Sequence, residues 1–346
     1  VTTDHRAYCW GYNASGQLGN TTSTETCNGA GGPFPCSTTP VVVAGTLQFR
    51  QVSGGTDHTC AVTMDNRAYC WGSNASGELG DGTNMNRRTP VLVRGGLLFR
   101  QVDAGLTHTC GVGYTDRRAY CWGDNGSGQL GDGTTTPHRT PAPVLGSLQF
   151  RQVSTGNWYT CGVTTSNQAY CWGTDDHGQL GNDPQKGRRT KPVLVAGGHQ
   201  FRQVDAGSYH ACGVTVSDRA YCWGEGSIGD GNGYERFTPR AVAGGLSFSR
   251  VTSGVFHSCG ETTANRAYCW GSNSFGQGGD GSEQGHLTPV AVAGGLDVRQ
   301  MSAGGWHTCA KTSASVAYCW GDGFFGELGD GNGTTSSTPV PVAGRE

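Results

Sequence analysis

Short β-rich runs separated by polar, Gly-rich turns recur along this chain, and no stretch repeats its apolar residues at the three- and four-residue spacing of an amphipathic helix. Residues 58–72, HTCAVTMDNRAYCWG, show the unit most clearly. A run rich in β-formers (Thr59, Cys60, Ala61, Val62, Thr63) meets a polar turn (Met64, Asp65, Asn66), and a second run (Ala68, Tyr69, Cys70, Trp71) ends at Gly72. A hairpin is predicted. Centring its turn on Asp65 sets Val62 opposite Ala68, Ala61 opposite Tyr69 and Cys60 opposite Cys70, where two cysteines can bridge.

Aligned on Ala-Tyr-Cys-Trp-Gly, the chain holds seven copies, with Trp10, Trp71, Trp122, Trp172, Trp223, Trp270 and Trp320 at one position. The period is about fifty residues, within the range of four-stranded propeller blades. After each Trp a Gly-rich turn such as Asn74 to Thr83 leads to a strand predicted at Thr89 to Val93, whose Pro90 suits a sheet edge. Gly95-Gly96 then opens a further strand from Phe99 to Gly105. The predicted fold is all-β: one seven-bladed propeller domain, 1–346, with four antiparallel strands per blade.

Repeats start near Leu47, Leu97, Leu148, His199, Leu246 and Leu296, so residues 1–46 form a partial repeat lacking its first half. Val1-Thr2-Thr3 aligns with Val62-Thr63-Met64, which puts the expected partner of Cys9 two positions before Val1. The numbered chain is therefore expected to be a piece of something longer. An upstream segment would close the ring, or a neighbouring subunit would supply the strands and build a polymer.

Cysteine usage sharpens the picture. Of fifteen cysteines, twelve fall in pairs inside six hairpins: Cys60 with Cys70, Cys110 with Cys121, Cys161 with Cys171, Cys212 with Cys222, Cys259 with Cys269 and Cys309 with Cys319. None has the Cys-x-x-Cys spacing of a zinc site, and disulfides are expected, each contributing roughly 2.5 to 3 kcal/mol in the chain-entropy model. Cys27 and Cys36, in an insertion from Thr21 to Ser37, are expected to pair and pin a Gly/Pro-rich loop from Gly29 to Pro35, a bridge from one of them to Cys9 being the minority reading. Otherwise Cys9 is left unpaired or paired from outside. So many bridges imply an extracellular or periplasmic setting. The formal net charge of −2, without a Lys/Arg cluster, removes the footprint of a nucleic-acid binder. No apolar run reaches membrane-spanning length, so no membrane insertion is expected.

The ordered set Gly-x-x-His-Thr-Cys, Ala-Tyr-Cys-Trp-Gly-x-Asn, Gly-Gln-Leu-Gly and Thr-Pro-Val resembles the regulator of chromosome condensation repeat family over the whole chain. That resemblance implies a seven-bladed propeller. The paired cysteines depart from the nuclear members and suggest a secreted bacterial-type relative.

Residues that vary where the repeat is otherwise constant are the candidate site. The repeated Trp read as packing residues, whereas the second x of Gly-x-x-His changes from blade to blade: Asp57, Thr107, Trp158, Tyr209, Phe256, Trp306. These turns should gather at one end of the propeller near its channel, with Trp158, Tyr209, Phe256 and Trp306 forming an aromatic arc for partner binding. His58, His108, His210, His257 and His307, with Tyr159 in the equivalent place of the remaining blade, are spread around the ring and read as structural hydrogen-bonders rather than metal ligands. The Gly-Asp-Gly motifs, such as Gly80-Asp81-Gly82, read as turns rather than calcium loops. Five Asn-x-Ser/Thr sequons occur, at Asn13, Asn20, Asn74, Asn125 and Asn332, and the Thr/Ser runs Thr21 to Thr24 and Thr334 to Thr338 could carry O-linked sugar.

No nucleophile elbow, acid pair with a base or cofactor fingerprint stands out, so neither an enzyme nor a cofactor is expected. The expected function is a non-catalytic extracellular binding or scaffold module for a protein or glycan. The alternative is self-assembly into a filament through the incomplete blade. Guanine-nucleotide exchange, implied only by the resemblance, comes third.

Overall fold

In the computed structural model, residues 1–21, 25–29, 32–182 and 187–344 are described. Seven antiparallel sheets follow one another along the chain as the blades of a propeller. The first contains β1 (Tyr8–Tyr12), β2 (Glu25–Gly29) and β3 (Gly32–Val42) in the spatial order β1-β3-β2. The second runs β4 (Phe49–Gly54), β5 (His58–Thr63), β6 (Ala68–Gly72) and β7 (Arg87–Leu92), each strand beside the next. Five further four-stranded sheets repeat that plan, the last occupying Val298–Ala303, His307–Thr312, Ala317–Gly321 and Ser336–Pro341.

The hairpin register is the one the turn chemistry dictates. Val62 faces Ala68, Ala61 faces Tyr69 and Cys60 faces Cys70. Asn66 takes φ +68°, a left-handed conformation that Asn tolerates better than most residues, and the Arg67 amide donates to the Thr63 hydroxyl to fasten the turn. Cys60 and Cys70 have Cα atoms 4.1 Å apart and are bridged, as are the other five hairpin pairs. Cys27–Cys36 supplies the seventh bridge, in the first blade, and Cys9 is free.

The apolar core lies between blades. Cys60, Cys70, Leu79 and Val93 of one blade pack on Phe99, Val102 and Trp122 of the next. Each blade presents its Trp backwards: Trp122 Nε1 donates to the Glu78 carbonyl at 2.9 Å, and Phe99 lies 5.7 Å from the same ring. The second glycine of Gly-Gln-Leu-Gly exists for this contact. At Gly131, φ is +69° and a Cβ would sit 2.6 Å from Trp172 Nε1.

Two expectations change. The outer strand of the second blade begins at Arg87 rather than Thr89, because Gly72 pairs with Arg87 across a register shift. In the partial first repeat, β1 and β3 match β6 and β7, and no described residues form the counterparts of β4 and β5. The insertion is more than a disulfide-pinned loop. Its described part forms β2 and the start of β3, paired Glu25 to Cys36 and Cys27 to Phe34, because Phe34 packs 5.5 Å from Tyr12 and 4.9 Å from Phe325. Thr22 to Thr24 of the Thr-rich run lie outside the described residues.

Candidate functional site

Each innermost strand ends in a turn in which the glycine amide donates to the carbonyl three residues on, as Gly207 does to His210 at 2.9 Å. The residue before the His is held from behind. Its carbonyl accepts an amide from the loop following the blade's Trp: Ser73 on Asp57, Asp124 on Thr107, Thr174 on Trp158, Glu225 on Tyr209, Ser272 on Phe256 and Asp322 on Trp306, all at 2.8–3.0 Å. The six varying residues therefore occupy equivalent, backbone-fixed places at one end of the propeller.

Four of them meet. Trp158 lies 6.2 Å from Tyr209, Tyr209 stacks on Phe256 at 5.2 Å with an interplanar angle of 13°, and Phe256 lies 5.8 Å from Trp306. All four rings are half-buried. Each exposes apolar surface while its backbone is pinned, which limits the entropy lost when a partner binds. Asp57 and Thr107 extend the row without rings. Asp57 accepts from Gln17 at 3.3 Å, and burial pushes its carboxyl up from the usual range.

Two further contributors escape a reading of the hairpins alone. Phe275 packs 5.4 Å from Trp306, and His177 meets Tyr209 edge-on at 5.5 Å. Both stand just before the first glycine of the Gly-Gln-Leu-Gly turn, where the blades read Ser15, Ser76, Ser127, His177, Phe275 and Phe325. The change from Ser to aromatic in the arc's own blades was the available signal.

The ring histidines serve the blade joints. His58 Nε2 lies 2.8 Å from Thr109 Oγ1, and that hydroxyl gives its proton to the Glu78 carbonyl, so Nε2 carries the imidazole proton. His108 with Thr160, His210 with Ser258 and His257 with Thr308 repeat the contact at 2.7–2.9 Å. Burial holds these imidazoles neutral: His58, His108 and His257 fall to about 3 and His210 to about 4. Tyr159, in the same place, donates to the His210 carbonyl at 2.6 Å. Among the described residues, no three His, Cys, Asp or Glu side chains converge as a metal site.

The Gly-Asp-Gly motifs and two of the buried sequon residues belong to turns. Asp81 accepts from the Thr83 amide at 2.9 Å and pairs with Arg87 at 2.8 Å. Asn74 is fully buried, its amide donating to Asp81, Thr83 and Met85 and its oxygen accepting from Leu79. Asn125 is held in the same way. Asn332 is exposed.

Below the arc a cavity of about 1100 Å³ runs along the channel and opens between the first and last blades. Gln51 to Gly55, Asp103 and Asp205 line it, as do Cys9 and Trp10 on one side and Trp306, His307 and Cys309 on the other. It borders β1, beside which no described residues form the counterparts of β4 and β5.

Residues 6–346 match the RCC1-like domain. The chain belongs to the RCC1-like domain family. It is 30% identical to the E3 ubiquitin-protein ligase HERC2 of Homo sapiens over 242 residues, covering 67% of this chain and 5% of that protein. To the ultraviolet-B receptor UVR8 of Arabidopsis thaliana it is 29% identical over 239 residues, 67% of this chain and 52% of the receptor. This RCC1-like propeller thus spans about half of one relative and a small part of the other. In fold it is similar to human WBSCR16, with a TM-score of 0.86 at 19% identity over 98% of this chain and 94% of that one. Yeast RCC1 (Prp20), in a structure bound to Kap60, superposes at 0.82 with 18% identity, over 97% and 83% of the two chains.

Proposed function

We propose that this RCC1-like propeller is a non-catalytic binding module that holds a protein on the end carrying Trp158, Tyr209, Phe256 and Trp306. The observation that carries this reading is the unbroken chain of four half-buried rings on backbone-fixed turns. Aromatic clusters of this kind are where interface energy concentrates. A photo-crosslinker replacing Tyr209 should trap a discrete partner in the native source, and one replacing Asp65 at the opposite end should not. Trp158→Ala with Trp306→Ala should abolish trapping and leave Tm nearly unchanged. A large fall in Tm would instead make the rings packing residues. A glycan stacked on the same rings is the competing ligand, and released-sugar analysis of the trapped complex separates the two.

The setting we propose is outside the cytosol, supported by seven bridged cysteine pairs. In protein from the native source, denatured in an alkylating agent without reductant, peptide mapping should find the fourteen paired cysteines unlabelled. Labels on those fourteen would place it in a reducing compartment.

One observation favours a second reading, self-assembly. β1 pairs with β3 alone among the described strands, and free Cys9 lines the cavity that opens between the first and last blades. A strand pair entering from a neighbouring molecule would complete the blade. A ladder on a non-reducing gel that Cys9→Ser removes supports assembly, and a monomer in gel filtration sinks it. Nucleotide exchange rests on family kinship alone and stays third.

A further inference from the structure

The aromatic arc is backed by carboxylates. The two residues whose amides pin Tyr209 and Trp306 are Glu225 and Asp322. Glu225 lies 3.2 Å from His177 Nδ1, and Glu235 lies 3.0 Å from the same nitrogen. The Glu225 and Glu235 side chains are each about one-third exposed, at 34% and 36%. Among the described residues of these loops, His177 meets Glu225 and Glu235, Arg236 meets Asp230 at 2.7 Å, and Arg188 donates to the Gly126 carbonyl. In the position following Trp-Gly the seven blades read Tyr12, Ser73, Asp124, Thr174, Glu225, Ser272 and Asp322, three acids and no Lys or Arg.

We infer that the arc takes an extended protein segment carrying arginine or lysine at alternate positions. The inference rests on the arc being the binding surface. Two physical features favour it. Faces of Trp and Tyr attract cations, and carboxylates on the loops that pin those residues, with Glu225 on the His177 that meets Tyr209 edge-on, add to the attraction while repelling phosphate and acidic peptides. Spacing agrees as well. Successive ring centroids lie 6.2, 5.2 and 5.8 Å apart, close to the ~6.6 Å between alternate side chains of an extended strand. Each cation of such a segment meets one ring, and the small residues between them point away. A neutral glycan would use the rings and gain nothing from Glu225 or Asp322.

The test uses a fluorescein-labelled peptide alternating Arg and Ala, and its counterpart with Gln in place of Arg, followed by anisotropy on the whole chain. The Arg peptide should bind at least ~tenfold tighter than the Gln peptide and weaken as salt rises. Glu225→Gln with Asp322→Asn should remove most of that preference at unchanged Tm. Equal binding of the two peptides, or an unaffected acid double variant, overturns the inference. If Trp158→Ala with Trp306→Ala abolishes binding while the acid variant does not, the arc stands as a binding surface and only its cationic preference falls. If neither variant matters, both readings fall.

Discussion

Trp10 Nε1 donates to the backbone carbonyl of Glu327 at 2.8 Å, joining the first blade to the last across 317 positions of sequence. The same bond links successive blades elsewhere, from Trp71 to Gln17, Trp172 to Gln129 and Trp223 to Gln179, each at 2.9 Å. The outer rim is therefore closed although the inner half of the first blade is missing from the described strands.

Trp270 breaks the series. Its buried Nε1 has no partner among the described residues, since the preceding blade shortens its turn to Gly224 to Gly229 and loses the Gln of Gly-Gln-Leu-Gly. Trp172→Phe should cost about 1 kcal/mol more than Trp270→Phe, the worth of one buried hydrogen bond, read as the difference in denaturant midpoints.

Gly131→Ala places a methyl group against the Trp172 indole in left-handed backbone. A loss of about 3 kcal/mol is expected from overpacking and strain together. Gly146→Ala, at φ +102° with open space around it, should cost only the strain, ~1 kcal/mol. Thermal or urea melts of the two variants test the contrast.

Stability should fall as the solution is acidified below pH 6.5. The four fully buried histidines are neutral in the fold, at about 3 to 4, while the unfolded chain protonates near the usual 6.5. Their contribution is complete above pH 6.5 and is lost as pH falls toward 4, each by ~1.4 kcal/mol per pH unit within that window. Asp205 and Glu327, both pushed up to about 7 mainly by burial, act in the opposite sense, favouring the fold at lower pH. Burial lowers His307 to about 4 in the same way and raises Asp57 and Asp103 beside those two carboxyls, and the five imidazoles outweigh the four carboxyls. A Tm that rises from pH 6.5 to 4.5 would contradict the sign, and His108→Gln should flatten the profile.

Glycosylation, in a host that attaches N-linked sugar to folded secreted chains, is expected at Asn332 and absent from Asn74 and Asn125. The latter two amides are buried and bonded inside their turns. Peptide mapping before and after deglycosylation reads this directly, and Asn332→Gln should remove the mass difference.

The blades, hairpin registers and disulfide pairs were legible because they are local. Cys60 meets Cys70 once the turn at Asp65 and the two-residue period of a strand are known. The row Asp57 to Trp306 was legible by contrast, since variation stands out against a repeat. Phe275 and His177 were not singled out, because they join the arc from a different turn of a neighbouring blade. β2 was missed because Gly- and Pro-rich sequence reads as loop until Phe34 finds Tyr12 and Phe325. By itself, then, the sequence determined each blade, whose contacts lie within a few dozen residues. Only the tertiary structure decided which carbonyl each Trp reaches, which rings stack, and that Trp10 meets Glu327, for these depend on how one blade rotates against the next.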